Sequence, residues 1–413
     1  MKILLLTPQL PYPPRQGTTI RNYNLIRYLA RHHQLHLFTF LAPGEELTPD
    51  NPLWGLCQRI ETAPQPRRSL GRRALDTLIA PLPDMGLRLH SPGAQARVKA
   101  LLAENRYHVV QMEGIEMAGY GLLARGSQGP DGPRPRLIFD DHNVEHLLQK
   151  RAALVDLGQP RRWIAAAYSL AQWWKLRRYE AAICRQVDAV LAVSQVDREI
   201  LARLAPRTPV ALIPNGMDLS VYPEENSPPA LDPPTLIFVG KMDYRPNIDA
   251  ALWFGQEVFP RIQAGWPGVR FQIVGMNPSP RLDALRSNPG IQITGAVADV
   301  RPYIRRAAVY VAPLRVGGGT RFKVLEALLS GTPLVSTRLG VEGIDVEDGR
   351  HLLLADTPQE FAQAVSRLLE SQHTDRALVQ ELTREARRFV AARYDWERIL
   401  PRLEAVYRGE VRG

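Results

Sequence analysis

Short apolar runs alternate with helically spaced apolar positions along most of this 413-residue chain. Ile3 to Leu6 is an unbroken apolar run ahead of a proline-rich turn, the pattern of a buried parallel strand. Over residues 18–31 (TTIRNYNLIRYLAR), Ile20, Tyr23, Leu25, Ile26 and Leu29 fall mostly on one helical face. His36 to Phe40 then returns to strand character. Strand, helix and strand at this spacing predict a βαβ unit with parallel strands. Val109–Met112, Leu137–Phe139 and Val187–Val193 repeat the strand pattern with helical stretches between them, which predicts one doubly wound domain.

A proline-rich seam follows. Pro206, Pro209 and Pro214 precede Asn215-Gly216, and residues 223–234 are rich in proline and in acidic or small side chains. Beyond it the alternation restarts, with strands at Thr235–Val239, Phe271–Val274, Ile291–Thr294, Val309–Ala312 and Leu334–Ser336. Helices are predicted at Ile248–Phe254, at Lys323–Leu329 and from Pro358 to about Glu370. Residues 375–409 predict a helical tail charged on one face. The predicted layout is an N-terminal domain at 1–207, a linker at 208–234 and a second domain at 235–392. A helix at about 393–413 is expected to pack back on the first domain. Two such domains put a cleft between the carboxyl ends of their strands, where open α/β sheets bind ligands.

Composition narrows the class. Hydrophobic residues make up 45% and charged residues 23%, which fits folded domains and excludes extended disorder. The apolar start is cut by Pro8 and Pro11, too early for a secretory leader, and no run approaches the roughly 20 apolar residues of a membrane span. Cys57 and Cys184 are too few for a disulfide framework and lack metal-site spacing. A cytoplasmic protein, at most lying on the inner face of the cell membrane, is the expectation. The net charge is +10, and residues 1–215 carry all of it: 28 Lys+Arg against 18 Asp+Glu, with 24 of each beyond.

The strongest chemical signal runs from Val309 to Pro333 (VYVAPLRVGGGTRFKVLEALLSGTP). A strand ends at Ala312, a loop carries Gly317, Gly318, Gly319 and Thr320, and a helix begins near Phe322. Backbone N–H groups of a glycine loop at a helix N-terminus suit an anion, above all phosphate. Arg321 and Lys323 add positive charge, and Glu326 is spaced to accept from a ribose diol. The plainer reading is a surface loop ahead of a solvated helix.

The run Ala312–Pro333 resembles the donor-site signature of retaining glycosyltransferases of the GT-B fold, specifically glycosyltransferase family 4. Val193-Ser194, Ile213–Asp218 (IPNGMD), Phe238–Lys241 (FVGK) and Ile273–Gly275 (IVG) follow in the family's order. The resemblance implies two Rossmann-like domains facing across a cleft, the second binding a nucleotide-sugar donor and the first the acceptor. It implies a pyrophosphate-binding role for Lys241 after Gly240, and leaves Arg245 or Lys323 to supply a second cation. Glu326 matches the second glutamate of the family's pair, while the first falls on Gly318. The loop Ile293–Asp299, with Val297, resembles the one that faces the nucleotide base.

On the N-terminal side the resemblance implies that His142, after the strand Leu137–Phe139, lies near the reacting sugar. Gly17, in the loop PYPPRQGT, could bring N–H groups to the donor phosphates, although a plain βα turn explains it as well. Glu113, Asp141 and Asn143 are candidate acceptor contacts. Asp140-Asp141 lacks the Asp-x-Asp spacing of metal-dependent glycosyltransferases, so no metal and no cofactor beyond the donor are expected.

The basic surplus has two local peaks. Arg67, Arg68, Arg72 and Arg73 precede Leu75, Leu78, Ile79 and Leu82, which suggests a positively charged amphipathic segment. Residues 146–186 carry eight Lys/Arg and two acidic residues, with Trp163, Tyr168, Trp173, Trp174 and Tyr179 interleaved. That mixture suits an anionic membrane surface, though a solvated helix with a buried aromatic face is the plainer account of each Trp. No nucleic-acid module accompanies the charge, so nucleic acid is not an expected partner. The function implied is a retaining hexosyltransferase acting on a glycan or lipid-linked acceptor, in exopolysaccharide or cell-envelope synthesis. The alternatives are a nucleotide-sugar 2-epimerase of the same architecture and a non-catalytic basic protein.

Overall fold

A computed structural model describes residues 1–129, 132, 134–157, 163–223, 233–316 and 322–411. It comprises two compact units, one of Met1–Asn215 with Glu397–Gly413, the other of Gly216–Trp396.

The first unit holds seven strands: β1 (Lys2–Thr7), β2 (Gln34–Leu41), β3 (Arg59–Pro64), β4 (Val109–Glu113), β5 (Arg136–Asp141), β6 (Ala189–Ala192) and β7 (Val210–Leu212). They form one parallel sheet in the order β3-β2-β1-β4-β5-β6-β7. Strand order reverses between β1 and β4, so the loops leaving these two strands part and open a crevice at their carboxyl ends. The β4–β5 register sets Glu113 beside Asp140 at that edge. Strand residues Leu6, Phe38, Phe40, Val110, Met112 and Phe139 are fully buried in the core. Each such side chain contributes about 1.5–3 kcal/mol when taken out of water.

The second unit holds β8 (Thr235–Val239), β9 (Arg270–Val274), β10 (Ile291–Gly295), β11 (Val309–Ala312), β12 (Leu334–Ser336) and β13 (Leu353–Leu354). Their order is β10-β9-β8-β11-β12-β13, again parallel, with the reversal between β8 and β11. Phe254, Phe259, Phe271 and Phe361 pack together in its core, with the Phe254 and Phe271 rings 4.6 Å apart.

Four stretches of the chain differ from the pattern-based reading. Val210–Leu212 falls in the stretch read as linker, yet it pairs with β6 as the edge strand of the first sheet. Its flanking prolines are tolerated because an edge strand leaves one row of N–H groups unused. The tail is not one helix: Ala377–Arg393 ends at Tyr394, and short helices follow at Trp396–Ile399 and Arg402–Arg408, with Pro401 between them. The strand Arg59–Pro64 and the helix Pro92–Glu104 carry mixed polarity and show no clear period.

Candidate functional site

In the first unit the helix Gly17–Leu29 follows β1 and turns a polar stripe inward, with Thr19, Arg21 and Asn22 all buried. Gly17 is its first residue and is exposed at the crevice end of β1. Arg21 grips Asp140 with two bonds, Nε to Oδ2 at 2.8 Å and Nη2 to Oδ1 at 3.1 Å. Its Nη1 donates to the Ile213 carbonyl at 3.0 Å and to Asn215 Oδ1 at 3.1 Å. Both charges are out of water, and the fork geometry with extra acceptors is what makes such a pair tolerable.

His142 follows β5, and its Nε2 lies 2.9 Å from Glu113 Oε2. The other Glu113 oxygen accepts from Gln111 Nε2 at 2.6 Å, and Gln111 Oε1 accepts from the Tyr407 hydroxyl. Burial pushes the Glu113 carboxyl up, as does the neighbouring Asp140 charge, while its bond to His142 pulls it down. Burial alone lowers the His142 imidazole, but the Glu113 bond and the Asp140 and Glu113 charges prevail and leave it above the ordinary value.

Asp141 points to the opposite face of β5 from Asp140, since strand side chains alternate. There it is buried, and burial together with Glu180, Glu145 and Asp197 holds its carboxyl well above the usual range. The carboxyl expected as an acceptor contact is thus enclosed, only 1% exposed. Asn143 is half-buried and donates weakly to Glu145 Oε1 at 3.4 Å. Glu180 accepts the Glu145 N–H at 3.0 Å and pairs with His146, which fixes the start of the helix Glu145–Leu157. Burial and the charges of Glu116 and Glu180 push the Glu145 carboxyl up to about 8.

Glu113, Asp140 and His142 bring metal-ligand atom types within 4.8 Å of one another. Their lone pairs are already engaged, Asp140 by Arg21 and Glu113 by Gln111 and His142. The guanidinium occupies the electrostatic place a cation would take, so the group reads as a hydrogen-bond network.

In the second unit the site gathers at the reversal between β8 and β11. Gly240 follows β8, and a Cβ there would sit 2.7 Å from Asn247 Nδ2 and 2.9 Å from Lys323 Nζ. Lys323, on the helix Phe322–Leu329, donates to Asn247 Oδ1 at 2.6 Å and stands 4.9 Å above the Phe238 ring. Asn247 Nδ2 donates to the Lys241 carbonyl at 2.9 Å. Of the two cations offered as the second positive charge, Lys323 is therefore the one beside Gly240. Arg245 instead opens the helix Arg245–Trp253. The Lys241 side chain is 42% exposed and 3.5 Å from Asp243. Gly275, at φ +153°, crosses Gly240 so closely that a Cβ would overlap the Gly240 carbonyl, which explains the glycine in that motif.

Glu326 lies one turn further along the helix and accepts from the Tyr222 hydroxyl at 2.8 Å. Burial raises its carboxyl, partly offset by the Tyr222 bond and the Arg301 charge. Arg301 is itself paired with Asp299 at 2.8 Å and donates to the Val221 carbonyl at 3.3 Å. Val297, in the same loop, packs partly buried against this unit's core. Gly317, Gly318, Gly319, Thr320 and Arg321 lie outside the described residues.

Sequence reasoning missed Arg21, Gln111, Tyr222, Asn247, Arg301 and Tyr407. An arginine among the inward positions of the Gly17–Leu29 helix was a legible signal for Arg21. Tyr407 lies 296 residues from Gln111, and no spacing rule connects them.

On the first unit's outer surface, Arg68 and Arg73 are tied to Asp84 at 2.9 and 2.8 Å, and Arg72 to Asp76 at 3.0 Å. Much of that basic peak is thus neutralised internally. Trp163 is 61% exposed, Ile164 90% and Trp174 56%, which corrects the buried reading for those two tryptophans, while Trp173 is half-buried and Tyr179 packs partly buried against the core. The positions of Trp163, Ile164 and Trp174 on the helix Trp163–Cys184 look outward, while Ala166, Leu176 and Ile183 look in.

The Glycosyltransferase Family 4 model matches residues 15–221, and the model for Glycosyl transferases group 1 matches residues 233–371. Glycogen synthase of Mycobacterium tuberculosis is 24% identical over 267 residues, 62% of this chain and 62% of that protein. Phosphatidyl-myo-inositol mannosyltransferase of the same organism is 28% identical over 219 residues, 47% of this chain and 53% of its own. The chain thus spans less than two thirds of these curated relatives. The structure of Anabaena HepE in complex with UDP-glucose superposes with a TM-score of 0.65 at 16% identity, covering 98% of this chain and 99% of that one. Two Rossmann-like units in one chain, with such a neighbour, constitute the GT-B fold. With one family model covering half its length and the other its second sheet, the chain belongs to glycosyltransferase family 4.

Proposed function

We propose that this glycosyltransferase moves a sugar from a nucleoside-diphosphate sugar to a hydroxyl of a glycan or lipid-linked acceptor. We further propose that it retains the anomeric configuration and needs no metal, serving exopolysaccharide or cell-envelope glycan synthesis. The observation that carries the reading is the Gly240–Lys323–Asn247 cluster at the strand reversal of the second unit. A cation beside a glycine where a Cβ would crowd it suits a diphosphate, whose departure leaves negative charge to be stabilised.

In the transfer, the bond from the anomeric carbon to the diphosphate oxygen breaks as the acceptor oxygen bonds to that carbon. The acceptor proton passes to the departing phosphate oxygen, on the same side of the ring. Lys323 and Lys241 offset the developing charge, and Glu326 is available to sugar or ribose hydroxyls. His142 supplies a hydrogen-bonding ring near the reacting sugar. The names of the relatives support both acceptor classes, one a polymer and one a lipid. Outward Trp163, Ile164 and Trp174, with a basic N-terminal half, support contact with an anionic membrane from the cytoplasmic side.

The test is a panel of UDP-, GDP-, ADP- and dTDP-sugars incubated with the full chain, glycan and lipid acceptors, and EDTA. Release of nucleoside diphosphate and a product with the donor's anomeric coupling constant are expected. An inverted product, or turnover that stops with EDTA, overturns the finer reading.

A further inference from the structure

We propose that Glu113 is the positioning residue of His142, itself held by a buried relay that ends on Tyr407 of the C-terminal helix. The inference rests on the reading above in one respect, that His142 faces the reacting sugar.

The relay runs across three separate pieces of chain. Tyr407, on the helix Arg402–Arg408, donates its hydroxyl to Gln111 Oε1 in the middle of β4. Committing that oxygen turns the Gln111 amide nitrogen toward Glu113 Oε1, 2.6 Å away. Glu113 Oε2 then faces His142 Nε2 at 2.9 Å. Tyr407, Gln111 and Glu113 are at most 2% exposed, so water does not compete for these bonds.

The Tyr407 hydroxyl fixes the Gln111 amide, and the Gln111 N–H and the His142 ring both face the Glu113 carboxylate. A Glu113 oxygen that already accepts an amide N–H marks the group as an acceptor, and its second oxygen accepts from His142. The imidazole proton is therefore on Nε2, and Nδ1 is left for a ligand. Asp140 cannot take this role, although register sets it next to Glu113, because Arg21 holds both its oxygens. Gly114, at φ +85°, borders the Nδ1 side, where a Cβ would lie 3.9 Å from Nδ1 and 3.3 Å from Glu116 Oε2. In the neutral ring Nδ1 accepts from a substrate hydroxyl, and in the charged ring it donates. The titratable groups facing the ring are Glu113, Asp140 and Arg21.

The consequence is that the last helix of the chain governs the geometry of a crevice residue. Glu113→Gln replaces one carboxylate oxygen by an NH2 group. With its remaining oxygen kept by Gln111, that NH2 faces Nε2 and drives the ring proton to Nδ1. Tyr407→Phe removes only the hydroxyl and frees the Gln111 amide to turn.

The experiment uses the full chain labelled with ¹⁵N-histidine, with the His142 signals identified by their loss in His142→Ala. Long-range ¹H–¹⁵N spectra are expected to show the Nε2–H form in the parent protein and the Nδ1–H form in E113Q. A partial shift in the same direction is expected in Y407F. For transfer, kcat is expected to fall about 100-fold or more in E113Q, the scale of losing one preorganised hydrogen bond at the reacting centre. In Y407F it falls about threefold to tenfold, the scale of one buried hydrogen bond. The donor KM should change less than about twofold in both, since neither residue touches the donor. An unchanged His142 tautomer in E113Q overturns the proposal, as does a Y407F protein with parental kcat and parental His142 spectra. Should E113Q not fold, Y407F carries the same test alone. Full turnover by His142→Ala would defeat the functional reading, while the spectra would still decide whether the relay exists.

Discussion

Lys323 Nζ and Asn247 Oδ1 are 2.6 Å apart, joining the helix after β11 to the helix after β8 across the floor of the second unit's reversal point. The contact aims a cation that would otherwise sample several rotamers. It also sets Asn247 to hold the Lys241 carbonyl, so the loop carrying Lys241 and the amine of Lys323 are placed by one side chain.

Lys323→Met should therefore lower kcat/KM about 100-fold to 1,000-fold, the scale of losing one preorganised charge at a leaving group. Affinity for the free nucleoside diphosphate should weaken in parallel, as read by calorimetry. Parental diphosphate affinity in a folded Lys323→Met protein would remove Lys323 from the site.

The Arg21–Asp140 pair makes a prediction about stability. Replacing Arg21 by Met leaves a carboxylate with neither water nor partner, which costs about 3–5 kcal/mol. Urea unfolding followed by circular dichroism reads this as a lower midpoint. Adding Asp140→Asn should recover part of the loss, because the orphaned charge disappears. A single variant as stable as the parent contradicts the buried pair.

Glu145 makes a prediction about pH. Burial pushes its carboxyl up to about 8 in the folded chain, from the ordinary value of about 4.3 when exposed. Between those values the folded state binds more protons than the unfolded state, so this group's contribution to stability falls as pH rises. Glu145→Gln should flatten that slope and be the more stable protein at pH 8, by about 1–3 kcal/mol. Melting temperatures at pH 5, 6.5 and 8 check it, and parallel curves for the two proteins would refute it.

The outward face of the helix Trp163–Cys184 predicts membrane partition. Flotation with vesicles containing anionic phospholipid should carry the parent protein, and Trp163→Ser with Ile164→Ser should cut the bound fraction about tenfold. Raising the salt should weaken binding as well, by screening the cations of the first unit. Equal flotation of parent and double variant would leave these side chains without that role.

The architecture was largely legible because parallel strands are buried on both faces and appear as apolar runs, as Ile3–Leu6 and Val309–Ala312 do. β7 was hidden because three apolar residues between prolines look like a linker, and only pairing with β6 makes them a strand. The strand-end loops were legible too: a Cβ on Gly275 would overlap the Gly240 carbonyl, and one on Gly240 would crowd Asn247 and Lys323. What stayed hidden was the partner of each candidate. Tyr222 holds Glu326 from 104 residues away, and Glu113 bonds both Gln111 at 2.6 Å and His142 at 2.9 Å, partners that spacing alone did not give. Spacing reports which residues share a face or a loop, whereas hydrogen bonds across a sheet depend on register and on packing between distant segments.

The return of residues 397–413 to the first unit sets an order of events during synthesis. The second unit, Gly216–Trp396, is a continuous stretch and has all its strands once it leaves the ribosome. The first unit emerges earlier but lacks Leu403, Val406 and Tyr407, which are buried in the finished protein. Gln111 and His33 keep vacant bonding positions until Tyr407 and Glu404 are made. The half of the chain translated first is thus completed last, reversing the usual N-terminal-first sequence.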